Sequence, residues 1–216
     1  MLLETLQLGP IGTNCYIYSR DGERAVVIDP AAEAAEIIGH VRALGVEVAA
    51  IVNTHGHFDH IGANGPLKEA FDAPLCIGAG DAPYLGPDAE AVHRQDALIL
   101  GPEAVALFQI VYVASPPPDV LLREGDEIPG MDLRVLETPG HSPGGISLAA
   151  PDVVFTGDSL VAGAIGRTDL CGGDEDLLIS SIKRKLMSLP AETAVFPGHG
   201  PATTVAAEKA YNPFLT

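Results

Sequence analysis

Residues 49–64 read AAIVNTHGHFDHIGAN, an apolar run that opens into a loop carrying His55, His57, Asp59 and His60 within six positions of a chain that has seven histidines. No other stretch limits the fold as tightly. The short apolar run reads as a buried strand, and the loop begins where the strand ends. Neutral imidazoles and carboxylates are common nitrogen and oxygen ligands for Zn²⁺ and related ions, and several must converge on one point. The plain alternative is a chance cluster on a polar loop, since a short motif is only a hypothesis until its context agrees. The spacing argues against chance. Helical ligand pairs sit four apart, as in HExxH, whereas HxHxDH suits a loop. In an extended chain His55 and His57 point to the same side and can grip one ion. Asp59 and His60 fall beyond them, better placed to reach a second.

The flanking elements alternate. TNCYIYS (13–19) and AVVID (25–29), separated by RDGE, predict a hairpin. AAEAAEIIGHVRALG predicts a helix, with Ile37, Ile38, Val41 and Leu44 at helical spacing and Gly45 as its stop. Residues 61–71 read as a further helix and PLCIG (74–78) as a short strand. In the second half MDLRVLETPGH (131–141), GISLAA (145–150) and VVFTGD (153–158) read as strands divided by turns. DEDLLISSIKRKLMSLP supplies a helix, and TAVFPGHG (193–200) a strand ending in a loop. Two β-rich halves with helices among them suggest an α/β sandwich. With 216 residues, 47% of them hydrophobic, the chain can bury the core such a fold needs as one domain.

Composition removes several function classes. A formal charge of −17 opposes nucleic acid and anionic membranes, which are bound chiefly through clustered Lys and Arg. The start, MLLETLQLGPIG, lacks the basic region and apolar run of a signal peptide, and no stretch approaches a membrane span. A cytoplasmic protein is expected. Cys15, Cys76 and Cys171 are scattered without CxxC spacing, which suggests neither a disulfide framework nor a thiolate zinc site.

Residues 87–124 fit the alternation least. They hold the apolar stretch ALILGPEAVALFQIVYVAS and then PPP at 116–118, which keeps the chain extended. A packed connection with a rigid turn is the favoured reading; the other is a flap or wall over the site, or a subunit contact.

Three further strand ends deliver ligand types. ETPGHSPGG brings His141, VVFTGDSL brings Asp158 and VFPGHGP brings His199, each in a Gly- or Pro-rich turn after an apolar run. Five histidines and two aspartates are enough for two metal ions. His40 and His93, in helix-like polar surroundings, read as solvated surface residues.

This order of motifs, HxHxDH, PGHSPG, GD and PGHG, resembles the pattern of the metallo-β-lactamase fold superfamily, and the likeness runs from TNCYI to the NPFL near the C-terminus. It implies a four-layer αββα sandwich, two mixed β-sheets flanked by helices, with the metal site along one edge between the sheets. By motif match His55, His57 and His141 would hold the first metal, Asp59, His60 and His199 the second, and Asp158 would bridge them. Zinc is the leading expectation, with iron or manganese as alternatives. True β-lactamases are similar in the histidine loop but lack the bridging aspartate. Glyoxalase II enzymes, N-acyl homoserine lactonases and tRNA 3′-processing nucleases share the full set, and the nucleases further need a basic RNA-binding extension that is missing. Persulfide dioxygenases look similar and keep one iron.

The segment GDSLVAGAIGRTDLCGGD (157–174) resembles glyoxalase II and its short, single-domain relatives. Arg167 stands where a basic residue of the longer members helps hold glutathione, and it could pair with a substrate carboxylate. Equally, it could be a structural arginine tied to Asp169 or Asp174. Classical glyoxalase II carries a C-terminal helical domain, whereas this chain stops 17 residues after His199, so a single domain over 1–216 is expected. Lys183, Arg184 and Lys185 close a helix opened by Asp174, Glu175 and Asp176, an order that suits the helix dipole. Cys171 reads as a packed loop residue.

Two such ions can lower the pKa of a bridging water and give a hydroxide nucleophile near neutral pH, with Asp59 and Asp158 as the catalytic carboxylates. A thiolate departs without strong protonation, whereas an amide nitrogen needs a general acid. The leading expectation is therefore a dinuclear hydrolase of a small-molecule thioester such as S-lactoylglutathione. The alternatives are a lactonase or esterase of the same fold, a mononuclear-iron persulfide dioxygenase, and a metal-dependent binding protein without turnover.

Overall fold

The computed structural model describes residues 1–128 and 131–216. Its first sheet has six strands in sequence order: β1 (Leu2–Leu8), β2 (Thr13–Ser19), β3 (Arg24–Ile28), β4 (Glu47–Asn53), β5 (Leu75–Gly78) and β6 (Val120–Leu122). The first three pair antiparallel and the rest parallel, so the sheet is mixed. The second sheet contains β7 (Arg134–Glu137), β8 (Ile146–Ala149) and β9 (Val153–Gly157). A small β10–β11 ribbon (Leu160–Val161 and Ala164–Ile165) follows, and β12 (Ala194–Pro197) and β13 (Thr203–Thr204) complete the sheet in the order β13-β12-β9-β8-β7. β12 runs parallel to β9, and the other pairs are antiparallel.

The period-2 geometry of the strands sorts their apolar residues into three cores. On β2, Cys15 and Ile17 pack outward with Ile37 and Val41 of α1 (Ala34–Leu44), while Tyr16 and Tyr18 face the second sheet. On β9, Val153 and Phe155 face the first sheet. Val154 faces outward, packing with Leu178 of α6 (Glu175–Ser181) and Val205 of α7 (Val205–Tyr211). Three cores separate four layers. The chain is an αββα sandwich, as its motif order implied.

The helices are α1, α2 (Phe58–Ile61), α3 (Asn64–Phe71), α4 (Glu90–Leu100), α5 (Pro102–Val111), α6 (Glu175–Ser181) and α7 (Val205–Tyr211). The helix expected over 61–71 is two pieces, because the ligand loop itself forms the short α2 and the chain turns at Gly62 and Ala63 before α3 begins. The helix expected from DEDLLISSIKRKLMSLP starts as α6, where the Asp174 carboxylate accepts from Leu177 N–H, and continues as a π turn over Ile182–Leu186. Leu178, Ile182 and Leu186 stay buried at four-residue spacing, leaving Lys183 and Arg184 in solvent. The β1 strand was not anticipated from MLLETLQL; it pairs with β2 along its full length. No helix among the described residues is long and apolar enough to cross a membrane.

Residues 87–124 are the clearest correction. They form the α4–α5 hairpin and an extended segment leading to β6, and α4 and α5 stand as a wall of the cleft described below rather than a mere connection. Aromatic contacts dock the hairpin: Phe108 lies 5.8 Å from the Phe58 ring and His93 5.5 Å from that of Tyr84. His93 is accordingly not a solvated residue but is 1% exposed. Its Nε2–H donates to the Tyr84 carbonyl (2.9 Å), and burial holds its pKa below the usual value. His40 is exposed, as expected.

One buried carboxylate pins the loops that leave the two sheets. Asp81, in a 3₁₀ turn after β5, accepts from Gly56 N–H (2.9 Å) in the histidine loop. It also accepts from Ser142 Oγ (2.7 Å) and Gly144 N–H (2.5 Å) in the loop after β7. Removing it strands three buried donors. Asp81→Ala is expected to lower the free energy of unfolding by about 3 kcal/mol in urea denaturation, and Asp81→Asn, which keeps one acceptor oxygen, by less.

Candidate metal centre

Each site residue sits just beyond the end of a strand, where rigid backbone aims it into the gap between the sheets. His55, His57, Asp59 and His60 follow β4, His141 follows β7, Asp158 follows β9 and His199 follows β12. All seven come together. His55, His57 and His141 form one convergent set and Asp59, His60 and His199 a second. His141 Nε2 is 3.2 Å from His55 Nε2, and His60 Nε2 is 3.3 Å from His199 Nε2. Asp158 lies between the sets, its Oδ2 3.8 Å from His141 Nε2 and 3.5 Å from His199 Nε2, its Oδ1 3.6 Å from His60 Nε2. The four histidines at positions 55, 57, 60 and 141 are at most 7% exposed.

The ring orientations fit a metal. Thr54 Oγ donates its proton to Asp29 Oδ2 (2.7 Å), so the His55 Nδ1 atom 3.2 Å away acts as the donor to Thr54 and its Nε2 lone pair faces the centre. His141 is set the same way by donation from Nδ1 to the Arg167 carbonyl (2.7 Å). The His60 Nδ1 atom lies 3.1 Å from Asp29 Oδ2. Outer partners that occupy one ring nitrogen and direct the other inward are what ligating histidines require. His57 Nε2 and Asp158 Oδ1 are buried without any hydrogen-bond partner, an arrangement that a cation would satisfy.

Electrostatics agrees. Burial, with the neighbouring imidazoles, drives the pKa of His55 and His57 well down and keeps both rings neutral. Burial also opposes charge on His60, but the carboxylates of Asp59, Asp29 and Asp158 outweigh it and raise its pKa to about 10. Burial pushes the Asp59 carboxyl upward, yet His60, His199 and His57 hold it well below the usual range. The field of these carboxylates demands positive charge at the second set. The cluster is consistent with a dinuclear metal site.

Sequence reasoning missed the supporting acids. Asp29 accepts from Thr54 N–H (2.7 Å) as well as from its hydroxyl, and its backbone is left-handed, with φ 50°. Its signal was available: AVVID ends an apolar strand in aspartate, as VVFTGD does. Asp81 carried no such signal, because it is the third residue of a turn rather than the end of an apolar run. Also unforeseen was the role of TNCY. Asn14 Nδ2 donates to the carbonyls of Pro197 (3.0 Å) and Gly200 (2.9 Å), on either side of His199. Tyr16 OH donates to Pro197 as well (2.6 Å). A Cβ on Gly198 would strike Asp158 and His60, so only glycine fits the turn that presents His199.

Arg167 lines the cleft above the cluster, but its guanidinium is engaged by Asp169 through Nε (2.7 Å) and Nη2 (2.9 Å). Cys171 is half-buried, and its backbone N–H donates to Asp96 Oδ1 (2.9 Å).

Because Asn14 brackets the His199 turn, Asn14→Ala is expected to cut bound metal from about two ions per chain to about one. Elemental analysis of folded protein reads this, with Tyr16→Phe, which removes a single hydrogen bond, retaining more of the second ion.

Comparison with known proteins agrees with this geometry. Residues 8–199 match the Metallo-beta-lactamase superfamily pattern. The chain is 38% identical to the Bacillus subtilis "probable metallo-hydrolase YqgX", over 97% of this chain and 95% of that protein. It is 33% identical to the Haemophilus influenzae "hydroxyacylglutathione hydrolase GloC", over 100% and 98%. Among solved structures it is similar to the BLEG-1 B3 metallo-beta-lactamase, with a TM-score of 0.88 and 36% identity, covering 100% of both chains. It is also similar to TTHA1623 in a di-iron-bound form, with a TM-score of 0.81 and 38% identity over 98% and 100%. Carrying the ligand-bearing loops on an αββα sandwich and matching the family along most of its length, the chain belongs to the metallo-β-lactamase superfamily.

Proposed function

We propose that this protein is a dinuclear metal-dependent hydrolase of small-molecule thioesters, with S-lactoylglutathione as the reference substrate. The observation that carries the reading is the pair of convergent ligand sets sharing Asp158 on the floor of an open cleft. Two divalent ions in such a site lower the pKa of water toward neutrality and polarise a carbonyl oxygen.

The chain's own groups divide the remaining work. Neutral His55 and His57 offer lone pairs at physiological pH, and the Arg167 carbonyl keeps His141 in the tautomer that does the same. The Thr13 hydroxyl is placed to donate to Asp59 Oδ2 (3.4 Å), which helps fix this carboxylate where it can accept a proton from the attacking water. Asp158 spans both sets and keeps them in register. Apart from the ligands, the titratable side chains lining the cleft among the described residues are Asp96 and Arg167, and Arg167 is already paired. Without a ready acid a leaving group that departs as an anion is favoured, and a thiolate with a pKa of roughly 8.5 satisfies that better than an amide nitrogen. The likeness to GloC supports a thioester of glutathione type. Zinc suits the donor set, and the di-iron form of TTHA1623 supports iron as an alternative. The expected partner is a small cytoplasmic metabolite rather than nucleic acid, in keeping with the charge of −17.

Metal-loaded protein is expected to hydrolyse S-lactoylglutathione, and removal of metal by a chelator to abolish turnover. Asp59→Asn is expected to lower kcat by at least about a hundredfold. A lactone and a β-lactam assayed on the same preparation test the same-fold alternatives, the β-lactam being called for by the likeness to BLEG-1. Oxygen consumption with one iron per chain, in place of thioester cleavage, would overturn the proposal.

A further inference from the structure

The cleft over the cluster encloses about 210 Å³, and its floor and walls differ in chemistry. The floor is the ligand set. The walls are Ile11, Phe58, Leu100, Ala104, Leu107 and Leu170, contributed by the β1–β2 turn, the histidine loop, the α4–α5 hairpin and the loop before α6. The one Lys or Arg that lines it, among the described residues, is Arg167, which is held by Asp169 in a two-pronged pair. Asp96 adds a further negative group to the lining and is 4% exposed. Such walls reward apolar surface and, away from the ligand set, offer little to an anionic group.

We infer that the cleft seats an uncharged aliphatic acyl chain, so that the preferred substrate is a thioester of an aliphatic acid rather than of a small hydroxy acid. The inference rests on the hydrolase reading and refines its substrate. The acyl side is assigned because water-soluble thiol carriers are themselves polar and charged, which leaves the acid as the apolar part of the ester. The acyl chain lies against Leu100 and Leu107, half-buried residues of α4 and α5 that line the cleft, while the polar thiol extends toward solvent.

The test uses metal-loaded protein and a series of acetyl, butanoyl and hexanoyl thioesters of one neutral thiol, N-acetylcysteamine. Complete burial is worth roughly fourfold per methylene, so kcat/KM is expected to rise at least about tenfold from acetyl to hexanoyl in a half-open cleft. Hexanoyl ester is also expected to exceed S-lactoylglutathione. Leu107→Asn should cut the hexanoyl preference by at least about threefold. Ile110→Asn, on the same helix but 82% exposed, should leave that preference as it is. A flat or inverted series, or a Leu107→Asn variant with the parent's preference, overturns the inference. So does length dependence confined to a parallel series of alkyl thiols on a fixed acetyl group. Thioether analogues, with a methylene in place of the carbonyl, separate the two levels when their binding is measured by calorimetry. Length-dependent binding without turnover of any thioester sinks the hydrolase reading and keeps the aliphatic cleft; no length dependence in either assay sinks the inference.

Discussion

Burying the carboxylate of Asp81 between loops that leave different sheets is the constraint on which the centre depends. An isolated buried carboxylate is costly, and burial here does push the Asp81 pKa upward. Three donors offset that cost, and they come from the histidine loop and from the turn carrying His141. Satisfying one acid therefore fixes the distance between two pieces of chain more than eighty residues apart in sequence, close to the separation at which His55 and His141 can share an ion. The hydrophobic cores hold the sheets together, but apolar packing is non-directional and would tolerate a slide that this hydrogen-bonded node does not.

Asp29 and the TNCY segment perform comparable tasks for the second set. Asp29 orients His60 while tying the end of β3 to Thr54 at the end of β4. Asn14 and Tyr16, from β2 of the first sheet, hold the turn that presents His199 from the second. His60, His141 and the turn that presents His199 thus rest on partners from other elements, which ties the two ligand sets to both sheets. The concentration of imidazoles near three carboxylates is tolerable because some rings are kept neutral by burial while the carboxylates favour positive charge at the second set, which a cation would supply.

Much of this was legible in the sequence, and the remainder was hidden for identifiable reasons. The strands AAIVN and VVFTGD and the turns PGHSPG and PGHG carry their own signals, since an apolar run ending in Gly, Pro, His or Asp is both a strand boundary and a ligand position. His93 was misread because helical polarity around it says nothing of the aromatic hairpin that folds over it; its burial depends on Tyr84 and Tyr112, contacts made across elements without a local pattern. The role of residues 87–124 was misjudged for the same reason, as the apolar content of α4 and α5 fits a packed connection and a cleft wall equally well. Arg167 could be tied to substrate or to a neighbouring acid on the sequence; side-chain geometry pairs it with Asp169.

The α4–α5 hairpin contributes no strand to either sheet and none of the seven cluster residues, yet it forms much of the wall above the centre. Recognition and reactivity are in that sense separately encoded. Drift in Leu100, Ala104 or Leu107 can reshape what the cleft admits while the machinery beneath keeps its geometry. A scaffold partitioned in this way can acquire new specificities by remodelling a single hairpin, without rebuilding its reactive heart.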